Sequence, residues 1–233
     1  MKTIGLIGGL SWESSAEYYR MINEAVKQRL GGLHSAQTLM FSFDFAEIER
    51  LQHAGDWDAA TERMIDAARR LERGGADLLI ICSNTMHRMA QQVQAAVSIP
   101  LLHIADPTAE RIKAAGIQRI GLLGTRYTME QDFYRGRLTE VHGLDVIVPD
   151  AADRQIVNRI IYEELVLGVI KPDSKAEYLR VVNQLVAQGA EGVILGCTEI
   201  GLLIKQADCP VPAFDTTEIH ALAAVEAALE LQS

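Results

Sequence analysis

The chain repeats part of its own sequence at a spacing of about 115 residues. The segment TIGLIGG at 3–9 matches RIGLLGT at 119–125, and GADLLIICSNT at 75–85 matches GAEGVILGCTE at 189–199. Chance explains one such pair, but two pairs in the same order and at nearly the same offset indicate a duplicated unit. We therefore expect the chain to fold as two copies of one arrangement of strands and helices.

Both copies alternate short apolar runs with longer stretches of helical periodicity. The apolar runs are rich in Ile, Leu and Val and are bounded by Gly and Pro, which is typical of buried strands. Strands are predicted at 3–8, 37–44, 77–82, 100–104, 119–123, 144–148, 191–196 and 211–214. Helices are predicted at 14–30, 56–73, 86–97, 107–115, 128–141, 152–167, 174–188 and 216–231. This alternation predicts parallel sheets covered by helices on both faces.

The restart of the pattern favours two sheets of four strands over one sheet of eight. The predicted fold class is α/β, with two pseudo-symmetric three-layer α/β domains, each built on a four-stranded, mainly parallel sheet. The first repeat is placed at 1–105 and the second at 106–214, and the sequence leaves open whether the segment 215–233 completes the first. An active site is expected in the cleft between the domains, because ligands of open parallel sheets bind beyond the carboxyl ends of the strands.

Composition narrows the class of partner. The chain has 233 residues and a net charge of −9, which argues against a nucleic-acid partner. No apolar run approaches the ~20 residues that a membrane span requires, and the opening MKTIGLIGG is expected to be a first strand rather than a signal peptide. Three cysteines without a CxxC pair favour a reducing cytoplasm and predict no metal site.

Each copy carries a polar motif where a predicted strand ends, SNT at 83–85 and CTE at 197–199. The repeat aligns Ser83 with Cys197. If the two units face each other about a pseudo-twofold axis, these two side chains can flank one small ligand. The plainer interpretation is that both motifs only end strands and cap the helices that follow.

Cys82 stands directly before Ser83 and aligns with Gly196. Because side chains alternate along a strand, Cys82 is expected to point away from Ser83 and to be a buried structural thiol. A shift of register by one residue would instead give the place of Ser83 to Cys82.

Four segments carry a resemblance to a known family: GLIGGLSWESS (5–15), SNTMH (83–87), GTRYTM (124–129) and GCTEIGLL (196–203). They resemble the cofactor-independent aspartate/glutamate racemase superfamily and, within it, the bacterial broad-specificity amino-acid racemases. In that family two cysteines at equivalent strand ends remove and return the α-proton on opposite faces of an amino acid. The resemblance covers essentially the whole chain. It implies an amino-acid racemase that uses no pyridoxal phosphate or other cofactor, and family members are commonly homodimers.

The resemblance implies Ser83 and Cys197 as the catalytic pair. The family's first motif usually reads Cys-Asn-Thr, so a hydroxyl stands here in place of one thiol, and a hydroxyl is a poor base unless a neighbour activates it. Cys197 is therefore expected to be the main acid/base, facing the α-proton of L-amino acids. A thiol suits this work because its pKa of about 8.5 can be lowered by nearby donors and helix N-termini.

Further candidates are expected to bind substrate: Leu10, Ser11, Gln52, Asn84, Thr85, Thr125, Thr198 and Glu199. Backbone N–H groups and hydroxyls around the two motifs could hold the substrate carboxylate as negative charge develops. By resemblance, Thr125 binds that carboxylate and Gln52 reaches the substrate side chain.

Plainer roles are open for several of these residues. Ser11 fits a simple strand-to-helix turn, Thr125 a helix cap, and Gln52 an exposed position at a helix end. Glu199 could orient Cys197, bind the amino group or complement a helix dipole. His87 could polarise the site, although a core or surface histidine is the readier interpretation.

Two other functions stay open beside a racemase of small α-amino acids. One is a related enzyme with a single thiol that decarboxylates a malonate or isomerises a small diacid, and Ser83 favours it. The other is a binding module that holds a small ligand without chemistry. No basic cluster near the motifs stands out as a partner for a side-chain carboxylate, which favours broad specificity over a strict Asp/Glu preference.

Overall fold

The computed structural model describes residues 1–229 and contains eight β-strands in that range. The strands are β1 (Ile4–Gly8), β2 (Thr38–Ser42), β3 (Leu78–Ile81), β4 (Leu101–Leu102), β5 (Arg119–Gly124), β6 (Asp145–Ile147), β7 (Gly192–Gly196) and β8 (Ala213–Asp215). Each strand lies inside a predicted range or extends one residue past it. The repeat and the apolar runs therefore predicted the strand positions correctly.

The α-helices surround these strands. They are α1 (Trp12–Leu30), α2 (Phe45–Ala54), α3 (Trp57–Arg73), α4 (Ala90–Ala95), α5 (Ala105–Ala114), α6 (Arg126–Glu130), α7 (Asp132–Gly136), α8 (Ala151–Glu163), α9 (Pro172–Ala187), α10 (Ile200–Leu203) and α11 (Thr216–Leu229). Short 3₁₀ segments lie at Thr85–Met89, Leu165–Leu167 and Gln206–Asp208, and a π-helical turn at Arg137–Val141. The end of the predicted helix 216–231, and of the segment 215–233, lies outside the described residues.

The strands form two parallel sheets of four with the same topology. Their orders are β2-β1-β3-β4 and β6-β5-β7-β8. All six strand pairings are parallel. The predicted fold class of two α/β repeats, each on its own four-stranded sheet, is confirmed.

The chain divides into two compact units. One comprises Met1–Ile104 and the segment that begins at His220, and the other comprises Ala105–Ile219. Helix α11 therefore begins in the second unit and continues into the first. Among the helices between Met1 and Leu229, none combines the length and the apolar character that a membrane crossing demands.

The sheet of the first unit has an apolar layer on each face. Leu79 and Ile81 of β3 pack in one cluster with Met64 of α3. Leu78, with the other even-numbered residues of the strand, packs in a second cluster with Tyr18 of α1 and with α11. Fully burying an aliphatic side chain contributes about 1.5–3 kcal/mol, so these two layers fix both faces of the strand.

The second unit is built on the same plan. Leu123 of β5 and Val193 of β7 pack with Val157 of α8 and Tyr178 of α9 in one buried cluster. Cys197, the residue after β7, belongs to this cluster as well. The thiol is thus held by the core of its own unit.

Several helical regions differ from the prediction. The short helix α10 was not predicted, and a 3₁₀ segment, Thr85–Met89, replaces the start of the predicted helix 86–97. The predicted helix 128–141 is broken into α6, α7 and the π-helical turn, because Gln131 adopts an extended backbone between the first two. Helix α2 was not predicted. It begins at the cap residue Asp44, whose side chain accepts from the Ala46 N–H, and ends at Gly55 in the left-handed conformation. The predicted strand 37–44 included Asp44, so the start of the helix was not recognised.

Gly9 shapes the turn between β1 and α1, and Gly9→Ala is expected to destabilise the first unit by about 3 kcal/mol. Its φ of 71° is in the left-handed region, and an added Cβ would overlap the backbone N and O of Phe43. Gly55 is the matched control, since it has the same φ of 71° but nothing within 4 Å of an added Cβ. Gly55→Ala should cost only about 1 kcal/mol. Equal losses for both variants in urea unfolding would contradict the role of the close approach to Phe43.

Candidate active site

The two polar motifs occupy equivalent places in the two sheets. Ile4 pairs with Leu78 between β1 and β3, and Ile120 pairs with Gly192 between β5 and β7. These are the residues that the sequence repeat aligns, so the two registers agree without a shift. Ser83 and Cys197 accordingly lie at the same distance past equivalent paired residues, each just beyond the carboxyl end of a central strand.

Cys82 lies in the core of the first unit. It is 0% exposed, and its N–H donates to the Ile7 carbonyl at 2.9 Å, which continues the strand ladder by one residue. Its side chain packs in the cluster that contains Leu78 and Tyr18, and burial raises the pKa of its thiol well above the usual value. Ser83 is partly exposed. The register shift that would give Cys82 the place of Ser83 does not occur.

Cys82→Ala is expected to lower the free energy of unfolding by about 1 kcal/mol, because it leaves a small cavity in this layer. It should leave α-proton exchange unchanged, since the thiol is enclosed by core side chains. Urea unfolding and NMR-detected exchange of an amino acid in deuterated water measure the two effects. A folded but inactive Cys82→Ala protein would show that the wrong residue of the motif has been chosen.

Ser83 is held mainly through its main chain. Its N–H donates to the Ile81 carbonyl at 2.8 Å, and its carbonyl accepts from Nδ1 of His87 at 2.6 Å. Its Oγ accepts from the Met86 N–H at 3.4 Å, a long contact. The 3₁₀ turn that follows begins at Thr85, and both Thr85 and Asn84 are buried.

Cys197 is in direct contact with a carboxylate. Its Sγ donates to Oε2 of Glu199 at 2.9 Å, and the Thr198 hydroxyl donates to the same oxygen at 2.9 Å. Glu199 is 3% exposed. Its other oxygen, Oε1, is buried and has no hydrogen-bond partner among the residues that the structure describes. The site therefore holds a thiol, a buried carboxylate and one unused carboxylate oxygen.

The surroundings of Cys197 raise the pKa of its thiol, whereas a lowered pKa was expected. Burial, then the negative charge of Glu199 and the hydrogen bond to it, raise the pKa of the thiol well above its usual value. The backbone N–H groups of Thr198 and Glu199 act in the opposite direction but do not prevail. These effects favour the neutral thiol, so a thiolate requires a further positive charge or the transfer of its proton to Glu199.

Two of the other predicted residues make local hydrogen bonds. Ser11 is the cap of α1, and its Oγ accepts from the Ser14 N–H at 3.2 Å. Thr125 caps α6 through the Thr128 N–H at 3.3 Å. Both are buried, as is Leu10. These contacts match the plainer interpretations, and the binding roles of all three stay predictions.

Gln52 and Ser15 differ from what the sequence suggested. Gln52 lies on α2 and is buried, with its Nε2 donating to Sδ of Met86 at 3.1 Å, so the exposed alternative is wrong. Ser15 was not singled out. Its Oγ accepts from the Gly9 N–H at 2.8 Å and donates to the Ser11 carbonyl at 2.9 Å, which ties the turn after β1 to α1. A serine in the first turn of a helix after a glycine pair is a weak sequence signal for such an anchor.

Comparison with known proteins identifies the family. The sequence model of the Asp/Glu/hydantoin racemase family matches residues 7–224. The broad-specificity amino-acid racemase RacX of Bacillus subtilis (strain 168) is 27% identical over 182 residues, which is 76% of each chain. The chain belongs to the Asp/Glu/hydantoin racemase family, and it is an enzyme of the isomerase class.

Solved structures agree with this result. A Yersinia pestis structure provisionally described as an Asp/Glu racemase is 59% identical, with a TM-score of 0.91 over 98% of this chain and 100% of that chain. An aspartate racemase homologue from Pyrococcus horikoshii OT3 is 39% identical, with a TM-score of 0.84 over 98% and 99% of the two chains. The fold is thus shared with these structures over 98% of this chain.

Proposed function

We propose that the chain is an amino-acid racemase that uses no pyridoxal phosphate, with Cys197 and Ser83 as its acid/base pair. The observation that carries the proposal is the equivalence of the two residues in the registers of the two sheets. Inverting a carbon without a cofactor needs one proton-transfer group on each face, and a duplicated fold supplies two equivalent positions. The thiol of Cys197 and its carboxylate partner at 2.9 Å provide the stronger of the two groups.

Glu199 gives Cys197 a way to become a base. Its Oε2 is placed to take the proton of the thiol, and its buried Oε1 is available to accept from the α-ammonium group of a substrate. That ammonium adds the positive charge that a thiolate needs. The thiolate then takes the α-proton of the L-enantiomer, and the electron pair of the broken C–H bond passes into the substrate carboxylate.

Ser83 completes the inversion. Its hydroxyl gives a proton to the opposite face of the carbanion, which forms the new C–H bond and leaves an alkoxide. Water returns a proton to Ser83, and the proton left on Cys197 and Glu199 passes to solvent, so no net proton is gained or lost. Donating a proton to a strongly basic carbanion is easier for a hydroxyl than removing one from the α-carbon, because removal needs an alkoxide beforehand, and an alkoxide forms at neutral pH only when a neighbour activates the hydroxyl.

The substrate carboxylate is proposed to bind the polar groups at the carboxyl ends of the central strands. Asn84 and Thr85 of the first unit are buried at the motif, and Thr125 and Thr198 are buried in the second. Their N–H and O–H groups can stabilise the charge that grows on the carboxylate as the α-proton leaves, once the Thr198 hydroxyl turns from Glu199 to the substrate. The rest of the substrate is proposed to contact Leu10, Ser11 and Gln52.

The substrates are proposed to be small α-amino acids, with broad specificity favoured over a strict preference for aspartate or glutamate. A homodimer in the cytoplasm is part of the same proposal. Sedimentation of the purified chain tests the dimer, and the range of amino acids turned over tests the breadth of specificity.

A second function is favoured by one observation, the hydroxyl at Ser83. An enzyme with a single thiol could decarboxylate a malonate or isomerise a small diacid through the same kind of carbanion. Incubating L- and D-amino acids, substituted malonates and small diacids in deuterated water, with NMR detection, separates the two. The racemase proposal predicts α-deuterium in amino acids and no change in the diacids. Conversion of a diacid without exchange on any amino acid would contradict it, and binding without exchange would indicate a binding module.

A further inference from the structure

His87 is enclosed within the first unit and holds two backbone groups at once. It is 2% exposed, its Nδ1 lies 2.6 Å from the Ser83 carbonyl, and its Nε2 lies 3.2 Å from the Ile104 N–H. A carbonyl can only accept and an N–H can only donate, so Nδ1 must carry the hydrogen and Nε2 the lone pair. Both contacts are satisfied only by the neutral imidazole in this one tautomer.

The two backbone groups belong to the ends of neighbouring strands. Strand β4 has two residues, which pair with Leu79 and Ile80 of β3. Ser83 lies beyond the end of β3, and Ile104 lies beyond the end of β4. The imidazole therefore joins the two chain segments where the strand ladder has ended, and it does so at the carbonyl of Ser83 itself.

The titratable groups around His87 favour the neutral ring. The His103 ring, after β4, lies 4.6 Å from it and the His220 ring, on α11, lies 5.7 Å from it, measured between ring centres. His220 in turn contacts the Tyr18 hydroxyl of α1 at 2.9 Å and the Leu102 carbonyl at 2.9 Å. Burial, followed by the two neighbouring imidazoles, lowers the pKa of His87 well below its usual value.

We propose that His87 is a positioning residue that fixes the main chain of Ser83 and so sets where its hydroxyl stands for proton transfer. Among the residues that the structure describes, the Ser83 Oγ makes one hydrogen bond, a long one to the Met86 N–H at 3.4 Å, so the main chain largely determines its place. The proposal rests on the function proposed above for Ser83. It assigns to His87 an effect on proton transfer by Ser83 and none on transfer by Cys197.

The test compares His87→Ala and His87→Asn with His220→Ala as a matched control. His220 is another buried histidine of the first unit, and its ring nitrogens contact the Tyr18 hydroxyl and the Leu102 carbonyl. Initial α-proton exchange from each enantiomer of one amino acid in deuterated water is measured by NMR, together with the midpoint of urea unfolding. Both Ala variants are expected to lower the midpoint.

His87→Ala should slow exchange from the D-enantiomer about tenfold or more relative to exchange from the L-enantiomer. His87→Asn keeps an N–H donor near the Ser83 carbonyl and should recover part of that loss. His220→Ala should leave the ratio of the two rates unchanged. An unchanged ratio in His87→Ala, or an equal change in His220→Ala, would overturn the positioning role while leaving the proposed racemase intact.

A spectroscopic measurement covers the case in which His87→Ala fails to fold. The imidazole ¹⁵N shifts of the unaltered protein at pH 6 are expected to show His87 neutral with its hydrogen on Nδ1, and a protonated ring or the other tautomer would overturn the inference. Absence of exchange from either enantiomer in the unaltered protein would instead overturn the proposed function, and this inference with it.

Discussion

Cys197→Ser is expected to lower the rate of α-proton exchange from L-amino acids by about 10²–10⁴-fold, the usual effect of losing a general acid/base group. A serine at this position keeps a hydrogen-bond donor towards Glu199, so the contact at 2.9 Å has a replacement and the fold should persist. The hydroxyl cannot become the base that a thiolate is, because its pKa is far higher. Exchange is followed by NMR, and folding by urea unfolding.

Cys209→Ser is the matched control. Cys209 is half-buried in the second unit and lies outside the polar motif at the end of β7. Its replacement should leave exchange within about twofold of the unaltered rate. Exchange that survives Cys197→Ser, or that falls as far in Cys209→Ser, would contradict the assignment of Cys197.

Ser83→Cys is expected to raise exchange from D-amino acids about tenfold or more, with a much smaller change in exchange from L-amino acids. Free enantiomers have an equilibrium constant of one, so the overall rates of racemisation in the two directions are tied together. The rates of proton exchange without inversion are not linked by the equilibrium constant. Each of them reports proton transfer on one face of the α-carbon. A barrier lowered by 1.4 kcal/mol gives about tenfold in rate, so even a modest gain in base strength would be visible.

Ser83→Ala supplies the opposite change at the same position. It should abolish the remaining α-proton exchange from D-amino acids and the formation of the D-enantiomer from an L-amino acid. Exchange from L-amino acids through Cys197 should continue. Equal L and D exchange in the unaltered chain, unaffected by either substitution at Ser83, would mean that another group serves as the second base.

Strand positions and the division into two parallel four-stranded sheets followed closely from the sequence. The sequence repeat aligned Ser83 with Cys197. The pairing of Ile4 with Leu78 and the pairing of Ile120 with Gly192 reproduce that alignment. The assignment succeeded because strands buried on both faces read as continuous apolar runs, and because two copies of one pattern constrain each other. Burial of Cys82 followed from the alternation of side chains along a strand.

Other features were not predicted. Helix α2 was missed because Asp44, its cap, lies two residues past the end of β2 and was counted with the strand. The raised pKa of Cys197 depends on burial in the core of its unit and on how the Glu199 side chain folds back. The contacts of His87 join Ser83 to Ile104, which is 17 residues further along the chain. The pKa of Cys197 and the contacts of His87 depend on the tertiary structure, whereas the cap of α2 is a local contact.

The central claim, that Cys197 and Ser83 act on opposite faces of one carbon, is tested most directly by following a single L-amino acid in deuterated water. NMR reports deuterium at the α-carbon of the remaining L-enantiomer, and chiral chromatography with mass detection reports the deuterium content of the D-enantiomer as it forms. We expect early deuterium in the L-enantiomer, and a D-enantiomer that carries deuterium from its first appearance and forms more slowly. A D-enantiomer that first appears without deuterium would mean that one group carries the same proton from face to face, and the two-group account would be wrong.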